Sequence, residues 1–182
     1  YANTTGRSNT AVGSYASYRI GTGSSTVAVG DSALLNNVAS FNVAVGSNAL
    51  TANTLGNNNT AVGHKSMFTN TTGITNVAVG YNSLFANVTG NNNTAVGGQT
   101  LISNTTGNDN VAVGLQGLYS NTSGYQNVAI GLQTLHDNLT GNLNIAIGTY
   151  ALTDNQSSSA NIAIGDNSLS RHLTGTDNIA IG

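Results

Sequence analysis

A 17-residue period runs through the whole chain and constrains its fold more than any other feature. The pentapeptide Asn-(Thr/Val/Ile)-Ala-(Val/Ile)-Gly recurs eleven times, with Thr26 replacing its Asn once, and one interval of 16 residues separates Gly30 from Gly46. We number the places of the repeat from the first residue of this pentapeptide. Repeats then start at residues 9, 26, 42, 59, 76, 93, 110, 127, 144, 161 and 178, after a partial coil at 1–8. The sequence is thus a single repeat array, 1–182, and we expect the native array to continue on both sides.

Each place in the repeat accepts only a few residue types. Place three is always Ala, place four is Val or Ile, place five is Gly, and place nine is almost always Leu. A β-branched run that ends at Gly is typical of a short strand and a turn, and Asn-x-Thr-Gly at places twelve to fifteen predicts a second turn. Places eight to eleven are predicted to form another short strand. The fold class is therefore all-β, a parallel β-solenoid (β-roll) with one 17-residue coil per repeat and two strands per coil.

Strand alternation also predicts which side chains face inward. Places four and nine are expected to form the core: Val12, Val45, Val62, Val79, Val96, Val113, Ile130, Ile147, Ile164, Leu50, Leu84, Leu101, Leu118, Leu135, Leu152 and Leu169. The invariant Ala of place three would then face outward, and an outward place that accepts nothing larger predicts a contact with another chain. The predicted contact residues are Ala44, Ala61, Ala78, Ala95, Ala112, Ala129 and Ala146, flanked by place-ten residues such as Tyr1 and Phe68. We expect a homotrimer or a filament of the chain with itself.

Asn recurs at places one and twelve, and stacked Asn amides can hydrogen-bond to each other along a solenoid. The predicted ladders contain Asn42, Asn59, Asn76, Asn93, Asn110, Asn127 and Asn144 at place one, and Asn53, Asn70, Asn87, Asn104, Asn121 and Asn138 at place twelve, where His172 is a departure. The alternative is glycosylation, because Asn3, Asn58, Asn70, Asn87, Asn92, Asn104, Asn121, Asn138 and Asn155 lie in N-x-S/T sequons. We favour the ladder, since its own chemistry accounts for most of the sequons.

The composition argues against several classes of function. Only 5% of the residues are charged and none is Cys, so nothing predicts nucleic-acid binding, disulfides or a cysteine metal site. No apolar run approaches the length of a membrane span. The six Asp pair at no repeated spacing, and His64, His136 and His172 occupy three different places. We therefore predict no catalytic residue, no metal ligand and no cofactor, and a protein that is not an enzyme.

The segments "NVAVG", "NTAVG" and "NIAIG", each followed by small residues, resemble the head repeats of trimeric autotransporter adhesins of the YadA type. Similar repeats occur in phage tail-fibre-like proteins. The resemblance covers the whole chain and implies a left-handed roll in a homotrimer, located outside the cell, on the cell surface or on a virion, and used for attachment. The repeat here is longer than in the adhesin heads, with its extra residues in the Asn-x-Thr-Gly turn.

Three functions follow from these observations. The chain could be a shaft or head segment of an adhesive surface fibre, which contacts a host-surface receptor, a matrix protein or a glycan, or acts only as a spacer. It could be a tail-fibre shaft whose specificity lies in a tip outside this sequence. It could also be a solenoid that forms lateral filaments or binds ice, because Thr recurs at place fourteen.

Overall fold

The computed structural model describes residues 3–171 and 174–182, and their regular structure consists of three-residue β-strands. The strands are β1 (Thr10–Val12), β2 (Val27–Val29), β3 (Val43–Val45), β4 (Thr60–Val62), β5 (Val77–Val79), β6 (Thr94–Val96), β7 (Val111–Val113), β8 (Val128–Ile130), β9 (Ile145–Ile147), β10 (Ile162–Ile164) and β11 (Ile179–Ile181). They form one parallel sheet in sequence order, so each coil contributes one strand. The predicted all-β parallel solenoid with 17-residue coils is confirmed. Tyr1 and His172 lie outside the described residues.

The register of the sheet follows the repeat, since every Ala of place three pairs with the Ala of the next coil. The short repeat does not disturb this pairing, and Ala28 still lies opposite Ala44. Asn37 donates a hydrogen bond to the carbonyl of Ala39 at 2.6 Å. Place-twelve Asn residues of the other coils make the same bond to the carbonyl of place fifteen, so Ala39 takes place fifteen and the missing residue is place fourteen. The turn absorbs the deletion and the sheet keeps its register.

The prediction of a second strand at places eight to eleven is wrong. Places seven and nine have a positive φ throughout the described coils, for example 53° at Leu84 and 50° at Leu118. A β-strand requires negative φ, so this segment is a succession of turns. Its backbone nevertheless bonds from coil to coil: the N–H of Leu84 donates to the carbonyl of Thr100 at 2.9 Å. The left-handed conformation costs about 1–2 kcal/mol per residue, and full burial of the Leu side chain offsets that strain.

The predicted orientation of the sheet is also wrong, because the Ala column faces the interior. Ala44, Ala61, Ala78, Ala95, Ala112, Ala129 and Ala146 are fully buried within the single chain. The residues predicted for the core at place four are half-exposed or exposed: Val12, Val45, Val62, Val79, Val96, Val113, Ile130, Ile147 and Ile164. The invariance of Ala therefore needs no partner chain to explain it.

The thinness of the coil explains this reversal. Its interior already holds the side chains of place nine, which are fully buried from Leu34 to Leu152 and include Met67, with Leu169 partly buried. The turn segment lies close to the sheet, since the hydroxyl of Ser83 donates to the carbonyl of Ala95 at 2.9 Å. Only a methyl group fits between the two, so the small side chain of the strand faces inward and the β-branched pair faces outward.

Candidate interaction surface

The place-twelve Asn residues form a continuous amide ladder inside the coil. Asn87 is typical: its Nδ2 donates to Oδ1 of Asn70 at 2.7 Å and to the carbonyl of Gly90 at 3.0 Å. The same two bonds recur along the column, which contains Asn53, Asn70, Asn87, Asn104, Asn121, Asn138 and Asn155. Both amide hydrogens are used at each of these residues, and each side-chain oxygen from Asn53 to Asn138 accepts from the next Asn, whereas the buried Oδ1 of Asn155 has no partner among the described residues.

The place-one Asn residues form a second ladder that also binds the backbone. Oδ1 of Asn59 accepts the main-chain N–H of Asn76 at 2.9 Å and its Nδ2 at 3.2 Å. The Nδ2 of Asn76 also donates to the carbonyl of Gly90 at 2.8 Å, where the place-twelve bond of Asn87 ends as well. The column contains Asn42, Asn59, Asn76, Asn93, Asn110, Asn127, Asn144, Asn161 and Asn178. The two ladders meet at the place-fifteen carbonyls and tie consecutive coils together.

Burial of the place-twelve ladder limits the sequons at which the folded chain could be glycosylated. Sequon Asn residues at place twelve are fully buried from Asn70 to Asn155, so their amides cannot accept a sugar in the folded chain. Asn58 and Asn92 lie at place seventeen and are exposed, and Asn3 is exposed in the first partial coil. Six of the nine sequons thus belong to the interior.

The outer face of the sheet is an uncharged and mainly apolar surface. It consists of two columns, places two and four, whose side chains are Thr, Val or Ile in every repeat and carry no charge. Exposed members include Val77, Val96, Val113 and Ile147, at 36–37% of their full accessibility. The face is about 50 Å long, because eleven strands stack at about 4.8 Å. The sequence analysis assigned its place-four column to the core, so the prediction from sequence missed the surface.

The opposite face carries the outward side chains of the turn segment and differs in chemistry. Gln99, Gln116 and Gln133 of place seven form an amide ladder with bonds of 3.0 and 2.7 Å. Aromatic rings stack at place ten, where the centroids of Phe68 and Phe85 are 5.4 Å apart. Repetition alone aligns these side chains, because each column presents one place of the repeat.

A shallow cavity of about 390 Å³ opens on this second face at its first two coils. Its lining residues are Tyr15, Tyr18, Arg19, Ser32, Leu35 and Asn36. The rings of Tyr15 and Tyr18 meet edge to face, with centroids 5.5 Å apart. The sequence analysis did not predict this cavity, although the change from Tyr to Ser at place seven of two consecutive repeats indicates it.

Few of the described titratable side chains are paired in a way that catalysis or metal binding would need. His136 Nδ1 lies 2.6 Å from Oδ1 of Asp137, and the His136 ring stacks on Tyr119 at 4.9 Å. His64 stacks on Tyr81. Within residues 3–171 and 174–182, no three His, Cys, Asp or Glu side chains are grouped closely enough to hold a metal ion. The same residues contain no helix that is long and apolar enough to cross a membrane.

Comparison of the chain with protein-family models finds no matching family, and neither the curated proteins nor the solved structures contain a match.

Proposed function

We propose that this chain is a non-enzymatic structural segment of a fibre on a cell surface or virion, that it serves attachment, and that it assembles with copies of itself into a homotrimer. The observation that carries the proposal is the outer face of the sheet. Its apolar surface runs through all eleven strands without a charged residue. A large apolar surface of this kind is typical of an interaction site.

Identical copies are the partner that this face fits best. Since places two and four carry no charge, two copies of the face can meet without burying an unpaired charge. The columns also repeat at the same spacing in each copy, so side chains of one rod can interdigitate with those of another along its length. Three copies around a common axis is the assembly that the resemblance to the YadA-type head repeats implies.

The interior of the coil suits a shaft. Two Asn ladders bind each coil to the next, and every coil adds about 4.8 Å to the length of the rod. In such an array each repeat contacts only its neighbours, so the number of repeats sets the length without changing the local structure. A rigid rod of adjustable length can hold a binding site away from the surface that carries it.

Light scattering of the folded chain tests the assembly. We expect three times the single-chain mass for the wild type and a single-chain mass for the double variant Val96→Lys/Val113→Lys, because six charges would meet at the trimer axis. The matched control is Gln99→Lys/Gln116→Lys on the opposite face, where Lys65 already occupies place seven. Far-UV circular dichroism shows whether each variant keeps its fold. A single-chain mass for the wild type would refute self-association, and a twofold mass would refute the trimer.

A further inference from the structure

We propose that the cavity on the second face binds a pyranose sugar that carries a carboxylate. The cavity exists because the repeat varies there: the large side chains of Tyr15 and Tyr18 stand over the smaller Ser32 and Leu35 of the next coil. Its volume of about 390 Å³ lies within the range of about 300–1,000 Å³ typical of small-molecule sites. One sugar ring fits in a space of this size.

The lining combines apolar surface with hydrogen-bonding groups. The edge-to-face rings of Tyr15 and Tyr18 offer apolar contact to the C–H groups of a sugar, and their hydroxyls can bond to its hydroxyls. The amide oxygen of Asn36 adds an acceptor, and the Ser32 hydroxyl, which donates to Oδ2 of Asp31 at 3.4 Å, can also accept a hydrogen bond. A ligand that carries several hydroxyls can bond to these groups, whereas a purely apolar ligand cannot.

Arg19 supplies the charge that selects a carboxylate. It is one of only four Lys and Arg residues in the chain, and it lines the cavity. No acidic side chain of the described residues lies within ion-pair distance of its guanidinium. The planar fork of donors on a guanidinium matches the two oxygens of a carboxylate. The cavity therefore offers an unneutralised cation beside two aromatic rings.

The position of the cavity is compatible with the fibre. Places seven, ten and eleven project from the turn segment, whereas places two and four project from the strand on the other side of the same core. Self-association through the sheet therefore leaves the cavity open to solvent. The proposal goes beyond the fibre function, because a shaft needs no ligand of its own.

Calorimetric titration with glucuronate and with glucose tests the proposal, since the two sugars differ in the carboxylate. We expect a Kd of about 1 mM for glucuronate, the value for a ligand of this size at ordinary efficiency. Glucose should bind at least about tenfold more weakly, because it lacks the charged hydrogen bond. Equal binding of the two sugars, or no binding of glucuronate, would overturn the proposal.

Three variants locate the binding. Arg19→Gln should weaken glucuronate at least about tenfold, and Arg7→Gln, outside the cavity, should leave it unchanged. Ser32→Tyr should abolish binding by filling the cavity. The fold accepts this change, because Tyr15 and Tyr150 occupy the same place with φ of 54° and 56°. Glucuronate binding that survives Ser32→Tyr would refute this cavity as the site. Light scattering of the same variant should give the wild-type mass, which shows that a loss of binding does not come from a change in assembly.

Discussion

The amide ladder makes a quantitative prediction at Asn104, near the middle of the place-twelve column. This side chain is fully buried and makes three bonds: to Oδ1 of Asn87 at 2.9 Å, to the carbonyl of Gly107 at 3.1 Å, and from Nδ2 of Asn121 at 2.8 Å. Asn104→Ala leaves the Asn87 oxygen and one Asn121 hydrogen without partners. Gly107 keeps its bond from Asn93 at 2.8 Å. Two orphaned groups at about 1–3 kcal/mol each predict a loss of about 2–6 kcal/mol in the free energy of unfolding.

Urea unfolding followed by far-UV circular dichroism measures this loss, with all variants at one protein concentration. The matched control is Asn57→Ala, an Asn of place sixteen whose side chain is half-buried and bonds to no other described residue. We expect the control to lie within about 0.5 kcal/mol of the wild type. If Asn104→Ala and Asn57→Ala lose the same stability, the ladder does not stabilise the coil and the argument is refuted.

Asn104→Asp tests the same ladder through pH. The introduced carboxyl faces two acceptors, the Asn87 oxygen and the Gly107 carbonyl, and it is buried. Both conditions favour its protonated form and raise its pKa in the folded state. The folded state then binds the proton more tightly than the unfolded state does. Stability of the variant should therefore fall as the pH rises from about 3.9, the unfolded pKa, to the folded pKa. Asn57→Asp should lack this fall.

Three further changes test the backbone and the orientation of the sheet. Gly97→Ala should prevent regular stacking of the coils, because Gly97 has a φ of +136° and the added Cβ would collide with the carbonyl of Gly114. We expect the variant to lose the cooperative urea transition of the wild type. Ala112→Val should cost about 1–3 kcal/mol by overpacking the interior, and a urea midpoint equal to that of the wild type would contradict the inward orientation of Ala112. Thr75→Asn should raise the free energy of unfolding by about 1 kcal/mol, since Thr75 is an exposed β-branched residue with a φ of 59° and Asn tolerates that region better. An unchanged urea midpoint would show that the backbone at Thr75 is not strained.

The sequence predicts the coil and its register because both follow from the period. A residue and its counterpart 17 places later must occupy the same site in adjacent coils, which fixes the parallel pairing of Ala78 with Ala95. The positive φ of places seven and nine could not be predicted in this way. Gln and Leu have no preference for the left-handed region, and bonds between coils, such as Leu84 to Thr100, hold them there. Tertiary pairing thus overrides local preference.

The orientation of the strand was predictable from evidence that the sequence contains. Alternation over three residues separates place three from places two and four, but it does not say which side is buried. Variation between repeats does say so. Place two accepts Thr as well as Val and Ile, which is typical of an outward column, and place four lies on the same side of the strand although it accepts only Val and Ile. The prediction took invariant Ala as a sign of a partner chain, but a narrow interior imposes the same constraint.

The scarcity of charge follows from the stacking of identical places. A charged residue that recurred in one column would meet its own copy about 4.8 Å away in the next coil and be repelled. An amide donates and accepts at once, so Asn and Gln can recur without limit, as the Gln99–Gln116–Gln133 ladder shows. Only Asp137 and Asp154 place like charges at the same place of adjacent coils, and His136 contacts the first of them. The 5% of charged residues and the abundance of Asn are thus consequences of the solenoid, and they leave its outer face free of the charges that would keep copies of the rod apart.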